Sequence, residues 1–203
     1  MITDPVGMAV DAIRAGKPVI LPTDTVYGLC ATPYRAEPVE GLYRLKGRLH
    51  DQPTALLAAD MDVLLACVPE LHGRVATVAR ALLPGPYTLV LPNPALRFGW
   101  LAGRTPEAIG VRVPELPEPA ARVLAHVGAV AATSANLPGG TDPRRLDEVW
   151  EALREGAGAV VDGGDLPGTP STVLDLTGSE PRVLREGAVS AADALALAEA
   201  ALS

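Results

Sequence analysis

Pro18-Val19-Ile20-Leu21 runs directly into Pro22-Thr23-Asp24-Thr25-Val26-Tyr27-Gly28-Leu29. The first four residues read as a short buried strand. A strand that ends in Thr-Asp-Thr and then Gly sets hydroxyls and a carboxylate at the edge of a sheet, where open α/β sheets bind ligands. Thr23 and Thr25 suit either a polar ligand or the N-cap of a helix beginning at Val26-Tyr27.

Outward from this stretch, strands and helices interleave. Asp4-Pro5 is an N-cap and N1 pair opening a helix with Val6, Val10 and Ile13 on one face and Gly16 at its end. Val39, Leu42 and Leu45 recur at threes, which predicts a helix over Pro38–Leu45 delivering Lys46 and Arg48 at its C-terminal end. A strand is predicted at Thr54–Ala58, then helices near Met61–Ala66 and Leu71–Leu83. Pro84-Gly85-Pro86 is a sharp stop before a strand at Tyr87–Leu91.

Further strands are predicted at Ile109–Val113, Ala129–Ala132, Ala159–Val161, Thr172–Leu176 and Val183-Leu184. Helices are predicted over residues 118 to 127, near Pro143–Leu153 and in the Ala-rich tail from Ser190. The alternation is not strict, so the fold class is α/β with one open, twisted, mixed sheet flanked by helices. The Pro/Gly-rich stretches at 84–86, 92–94, 138–143 and 163–170 read as loops within a single domain over residues 1–203.

Composition excludes several classes. The chain is 48% hydrophobic but only 3% aromatic, so Val, Leu, Ile and Ala must build the core. No apolar run reaches the roughly 18 residues of a membrane span, and Met1–Ala15 lacks a basic-then-apolar leader pattern. A cytoplasmic protein with no membrane partner is expected. Cys30 and Cys67 make no disulfide framework, and His50, His72 and His126 lack metal-ligand spacing. A net charge of −7 argues against a general nucleic-acid coat protein. Fifteen arginines against two lysines make Lys46 a position where a compact ammonium is wanted, whereas Lys17 beside Gly16 reads as surface.

Four candidates for chemistry remain, each with a structural alternative. Lys46-x-Arg48 can face one polyanion, or simply sit where basic residues favour a helix C-terminus. Thr133-Ser134-Ala135-Asn136 supplies donors and acceptors for phosphate, ribose or base, or forms an ordinary turn after a strand. Arg112 stands within the apolar Ile109–Val113 strand and must either pair internally or reach a ligand. Arg185 ends the run Val183-Leu184 beside Glu186. There is no P-loop, no Gly-x-Gly-x-x-Gly after a strand and no Ser/His/Asp set.

In order, Pro-Thr-Asp-Thr-Val-Tyr-Gly-Leu, Lys-x-Arg, Pro-Gly-Pro-Tyr-Thr, Val-Arg-Val-Pro, Thr-Ser-Ala-Asn, Ser-Thr-Val and Leu-Arg-x-Gly resemble the YrdC family from residue 18 to about 187. Gly99-Trp100-Leu101-Ala102-Gly103-Arg104 is similar to the short bacterial, TsaC-type branch. The longer branch has an extra C-terminal domain, which a chain ending at Ser203 is expected to lack.

The resemblance implies a nucleotidyltransferase, L-threonylcarbamoyladenylate synthase, joining L-threonine, bicarbonate and ATP for the threonylcarbamoyladenosine modification of tRNA. Mg²⁺ would accompany ATP without a protein metal site. It implies a nucleotide-side tetrad of Lys46, Arg48, Ser134 and Asn136, with Ser171 and Arg185 as further nucleotide contacts. Thr23 and Arg112 would hold threonine, Arg112 by its carboxylate. Lys46 and Arg48 then act as electrostatic stabilisers, since the reaction needs positioning and cations rather than a protein nucleophile. A downstream tRNA threonylcarbamoyl transferase complex is the implied partner.

Two departures stand out. Leu49 replaces the usual proline after Lys-x-Arg, and Leu57 aligns with a histidine that the longer branch uses near threonine. Two alternatives also remain: a paralogue of the same fold acting as a carbamoyl transfer module, and a non-enzymatic binder of structured RNA with weak, salt-dependent affinity.

Overall fold

The computed structural model describes residues 4–202, so the first three residues of the Met1–Ala15 stretch, and Ser203, lie outside the described residues. Asp4 accepts the Val6 N–H at 3.1 Å and caps α1 (Pro5–Arg14), with Pro5 in its first turn as its spacing requires. β1 (Val19–Pro22) follows, and then β2 (Tyr27–Ala31), a strand the sequence does not announce. All five residues of β2 are buried, so it lacks the apolar/polar alternation that marks a half-buried strand.

The link between β1 and β2 is a tight hairpin, not a helix start. Thr23 N–H donates to Val26 O at 3.2 Å, and the strands pair antiparallel from Pro22↔Tyr27 to Val19↔Cys30. The N-cap reading of Thr23 and Thr25 is therefore corrected. The Thr23 hydroxyl does cap backbone N–H groups, but those of a hairpin turn.

The chain continues through α2 (Ala36–Lys46), β3 (Ala55–Ala58), α3 (Met61–Cys67), α4 (Gly73–Leu82), β4 (Tyr87–Pro92) and β5 (Ala108–Arg112). After these come α5 (Glu118–Val127), β6 (Ala129–Ser134), α6 (Glu151–Gly156), β7 (Ala159–Val160), β8 (Thr172–Asp175), β9 (Arg182–Arg185) and α7 (Ala191–Ala200). The helix expected over Pro143–Leu153 is broken. A 3-10 turn at Leu146–Glu148 precedes α6, and Trp150 between them is extended at φ −54°, ψ 132°. The Glu148 carboxylate turns back to accept from the backbone N–H groups of Arg144 and Arg145, a capping box that starts this turn at Arg145 and not at Pro143.

Among the described residues, nine strands join one mixed sheet in the order β7-β1-β2-β6-β3-β5-β4-β8-β9. Alternating residues assign the two faces. On one face Tyr27, Leu29, Leu56, Leu89 and Val111 pack beneath α2, α3, α4 and α7 in the larger core. On the other, Leu21, Cys30, Leu57 and Val130 pack beneath α1 and α5. That second layer stops part-way across the sheet and leaves the rest of the face open as a concavity. No helix among the described residues is long and apolar enough to cross a membrane.

Tyr27 ties the hairpin to the far end of the chain. Its hydroxyl lies 2.8 Å from Asp162 Oδ1 and accepts the Gly163 N–H at 3.0 Å. Burial, reinforced by Asp162, pushes this phenol up to about 12. Tyr27→Phe strands those partners, and a loss of about 1–3 kcal/mol is expected in urea unfolding. An unchanged midpoint would show that the 162–164 loop does not depend on this hydroxyl.

Candidate active site

The concavity exists because its floor has almost no side chains. Gly28 on β2, Ala132 on β6, Ala55 on β3, and Ala108 and Gly110 on β5 all face it. The result is a cavity of about 560 Å³, the size of small-molecule sites. A Cβ added at Gly110 would meet nothing closer than Thr88 Cγ2 at 3.8 Å. Gly110→Leu should therefore fold and fill the cavity from below. For the nucleotide that the family resemblance implies, at least a tenfold loss of affinity by calorimetry is expected, with little change in melting temperature. Undiminished affinity would place the nucleotide elsewhere.

At one end of the cavity two cations converge. Gly47 ends α2 in the left-handed conformation (φ 65°), which glycine adopts without strain, and Arg48 N–H then donates back to Tyr43 O at 2.9 Å. This reversal aims both side chains at one residue. Lys46 Nζ is 3.1 Å and Arg48 Nη1 2.9 Å from Thr133 Oγ1. Glycine makes the turn, and Leu49, which stands in place of the usual proline, projects into solvent.

Lys46 is buried and held by three neighbours. It donates to Thr133 Oγ1, to the Ser134 carbonyl, and to Asn136 Oδ1 at 3.0 Å. Asn136 is a hub: its Oδ1 also accepts from Ser134 Oγ at 2.7 Å, while its Nδ2 donates to Gly140 O and Asp142 Oδ1. Burial, with the Arg48 cation adding to it and Asp142 opposing, pulls the ammonium down to about 8. Burial likewise lowers Arg48 from the usual guanidinium range.

Ser171 and Arg185 form the opposite rim. Arg185 Nη2 donates to Ser171 O at 2.8 Å, and Ser171 Oγ lies 2.8 Å from Thr88 Oγ1. Arg112 is the last residue of β5 rather than an interior one, so its side chain reaches the cavity from the strand end. Its Nη2 donates to Asp24 Oδ1 at 2.6 Å. The arginine is thus internally paired and also borders the cavity. Burial pushes the Asp24 carboxyl up and the Arg112 guanidinium down, and their mutual attraction opposes both shifts.

Of the eight residues singled out from the sequence, Thr23, Arg48, Arg112, Ser134, Ser171 and Arg185 line the cavity. Lys46 and Asn136 stand just behind its wall, bonded to Ser134. Three further participants lie outside those eight. Thr133 joins the cations, Asp24 pairs Arg112, and Thr88 supports Ser171. The Thr-Ser-Ala-Asn motif contained Thr133, but only the three-dimensional register of β6 against α2 brings its hydroxyl to Lys46.

Leu57 pairs in register with Arg112 but is buried in the α1–α5 layer, so no titratable side chain stands there. Cys30 is buried and its thiol is pushed up to about 12, so it is no accessible nucleophile itself. Among the described residues no group of three or more His, Cys, Asp or Glu side chains is placed to hold a metal ion.

The Sua5/YciO/YrdC family model, described as telomere recombination, matches residues 11–187. The chain belongs to this family.

Within the Sua5/YciO/YrdC family, a Mycobacterium tuberculosis relative is 35% identical over 184 residues, covering 90% of this chain and 83% of its own. The threonylcarbamoyl-AMP synthase of Bacillus subtilis is 32% identical over 188 residues, covering 91% of this chain and 54% of its own. Among solved structures, Pyrococcus abyssi Sua5 complexed with L-threonine superposes with a TM-score of 0.82 at 33% identity, covering 90% of this chain and 54% of that one. The chain thus spans about half the length of the Bacillus and Pyrococcus proteins.

Proposed function

We propose that this family member is a nucleotidyltransferase that makes L-threonylcarbamoyl-AMP from L-threonine, bicarbonate and ATP. The observation that carries this reading is one cavity with a Lys46–Arg48 cation pair at one end and a buried, half-satisfied arginine, Arg112, at another. Polyphosphate suits the first, and a substrate carboxylate suits the second. Relatives named threonylcarbamoyl-AMP synthase and a threonine-bound Sua5 support it.

In the proposed reaction the threonine amine adds to bicarbonate-derived carbon with loss of water. A carbamate oxygen then attacks the α-phosphorus, and pyrophosphate leaves. Charge builds on phosphate oxygens throughout, so fixed cations act where they are most effective. Arg48 and Ser134 face the phosphates from the wall. Lys46 lends its charge through the same wall, and Ser171 with Arg185 holds the other side of the nucleotide. Arg112 anchors the threonine carboxylate.

Mg²⁺ would enter with ATP. The cavity carboxylates are already engaged, Asp142 by Asn136 and Asp175 by Thr177 and Arg182, which suits a cation carried on phosphates better than one in a protein cage. The product would pass to a tRNA threonylcarbamoyl transferase complex, and the enzyme would work in the cytoplasm.

The test is pyrophosphate release by the purified protein from ATP and bicarbonate, with and without L-threonine. Threonine-dependent release is expected. ATP binding without such release would favour the carbamoyl-module or RNA-binding alternatives.

A pH prediction follows from Lys46. Free, it loses its proton above about 8, whereas its ordinary value is 10.5. A bound polyphosphate favours the ammonium and lifts it back. ATP affinity should therefore fall as pH rises above about 8, and binding there should take up protons. Calorimetry in buffers of different ionisation heat measures this uptake. None at all would mean that the phosphates do not sense Lys46.

A further inference from the structure

The two threonines of Thr-Asp-Thr are hydrogen-bonded differently: the Thr23 hydroxyl is committed to the turn and that of Thr25 is not. A threonine hydroxyl has one proton and two lone pairs. Thr23 Oγ1 donates to Val26 O at 2.7 Å and accepts from the N–H groups of Thr25 and Val26 at 3.2 Å each. It is spent on the turn, and its methyl group lies on the Gly28 side.

Thr25 Oγ1 lines the same cavity with looser contacts. It lies 3.1 Å from Thr23 Oγ1 and 3.4 Å from both Asp24 Oδ1 and Arg112 Nη2. Asp24 itself stands behind Arg112 and outside the cavity lining, gripping one corner of the guanidinium by Nη2. Asp24 Oδ2 and Arg112 Nε are both buried without a partner. A guanidinium on a flexible stem needs such a grip to present its remaining donors in a fixed plane.

We propose that Asp24 is a positioning residue that fixes the Arg112 guanidinium for an α-carboxylate, with Thr25 rather than Thr23 offering the hydroxyl beside it. This rests on the functional reading above and deepens it at the amino-acid end of the cavity. Asp24 touches no reacting atom. Its effect is confined to threonine affinity, and it is exerted through an oxygen acceptor rather than through reaction chemistry.

The test compares Asp24→Ala with Asp24→Asn, which keeps an acceptor oxygen for Nη2. Asp24→Ala should raise the KM for L-threonine roughly tenfold or more with kcat little changed, the pattern of lost uniform binding. ATP affinity should be retained, and Asp24→Asn should restore most of the threonine affinity. A purely structural role predicts parallel losses for ATP and threonine, and that outcome overturns the proposal.

If Asp24→Ala does not fold, a crystal structure of the wild-type protein with L-threonine decides. Asp24 still on Nη2, with the carboxylate on the cavity side of Arg112 near Thr25 Oγ1, is expected. Asp24 displaced from Arg112 by the carboxylate overturns it. Wild-type protein that uses no threonine overturns the functional reading itself. Wild-type turnover with an unaltered Asp24→Ala KM overturns only this inference.

Discussion

Arg112→Ala is expected to abolish threonine-dependent pyrophosphate release and to destabilise the protein at the same time. Arg112 and Asp24 keep only 10% and 8% of their side chains exposed, and their contact is 2.6 Å. Removing the arginine leaves a buried carboxylate with one oxygen already unpartnered. Breaking such a pair from one side costs about 3–5 kcal/mol. The two effects separate in a double variant. Arg112→Ala with Asp24→Asn should regain most of the stability, because no buried charge is left alone, yet remain inactive. Urea unfolding and the pyrophosphate assay together check this. Activity recovered along with stability would mean that Arg112 is scaffold and not a substrate contact.

Lys46→Met is the second large effect and has the opposite profile. Methionine is one heavy atom shorter than lysine, keeps its unbranched apolar stem and removes the desolvation that pulls its ammonium down to about 8. The Ser134 carbonyl loses this donor, while Asn136 Oδ1 still accepts from Ser134 Oγ. These contributions oppose each other, so stability should change by no more than about 1–2 kcal/mol. Activity should fall by roughly two to three orders of magnitude, the usual effect of deleting one fixed stabiliser of transition-state charge. Steady-state kinetics beside a melting curve measure both quantities. Turnover within tenfold of wild type would remove Lys46 from the reaction.

Much of this could be read before the fold was seen. The Asp4-Pro5 start, the helix that delivers Lys46 and the Ser190 cap of the last helix are local signals, carried by a few adjacent residues. β2 was not legible because both of its faces are buried and its five residues show no period. The break at Trp150 is not legible because the apolar spacing of Leu146, Val149 and Leu153 continues through it, while Trp150 itself is extended. At the site, the motifs named the cations and the rim. They could not show which hydroxyl of Thr-Asp-Thr is spent, since that depends on whether a helix or a hairpin follows. Nor could they show that Asp24 grips Arg112, a contact between residues 88 positions apart.

The central claim is that one cavity joins three substrates into a mixed anhydride of AMP. The direct measurement is mass spectrometry of the nucleotide formed from ATP, L-threonine and isotopically labelled bicarbonate. An AMP adduct carrying both the threonine moiety and the bicarbonate label, formed by the wild type and absent with Arg112→Ala, is expected. AMP or ADP without that adduct, under conditions where ATP is consumed, would contradict the claim.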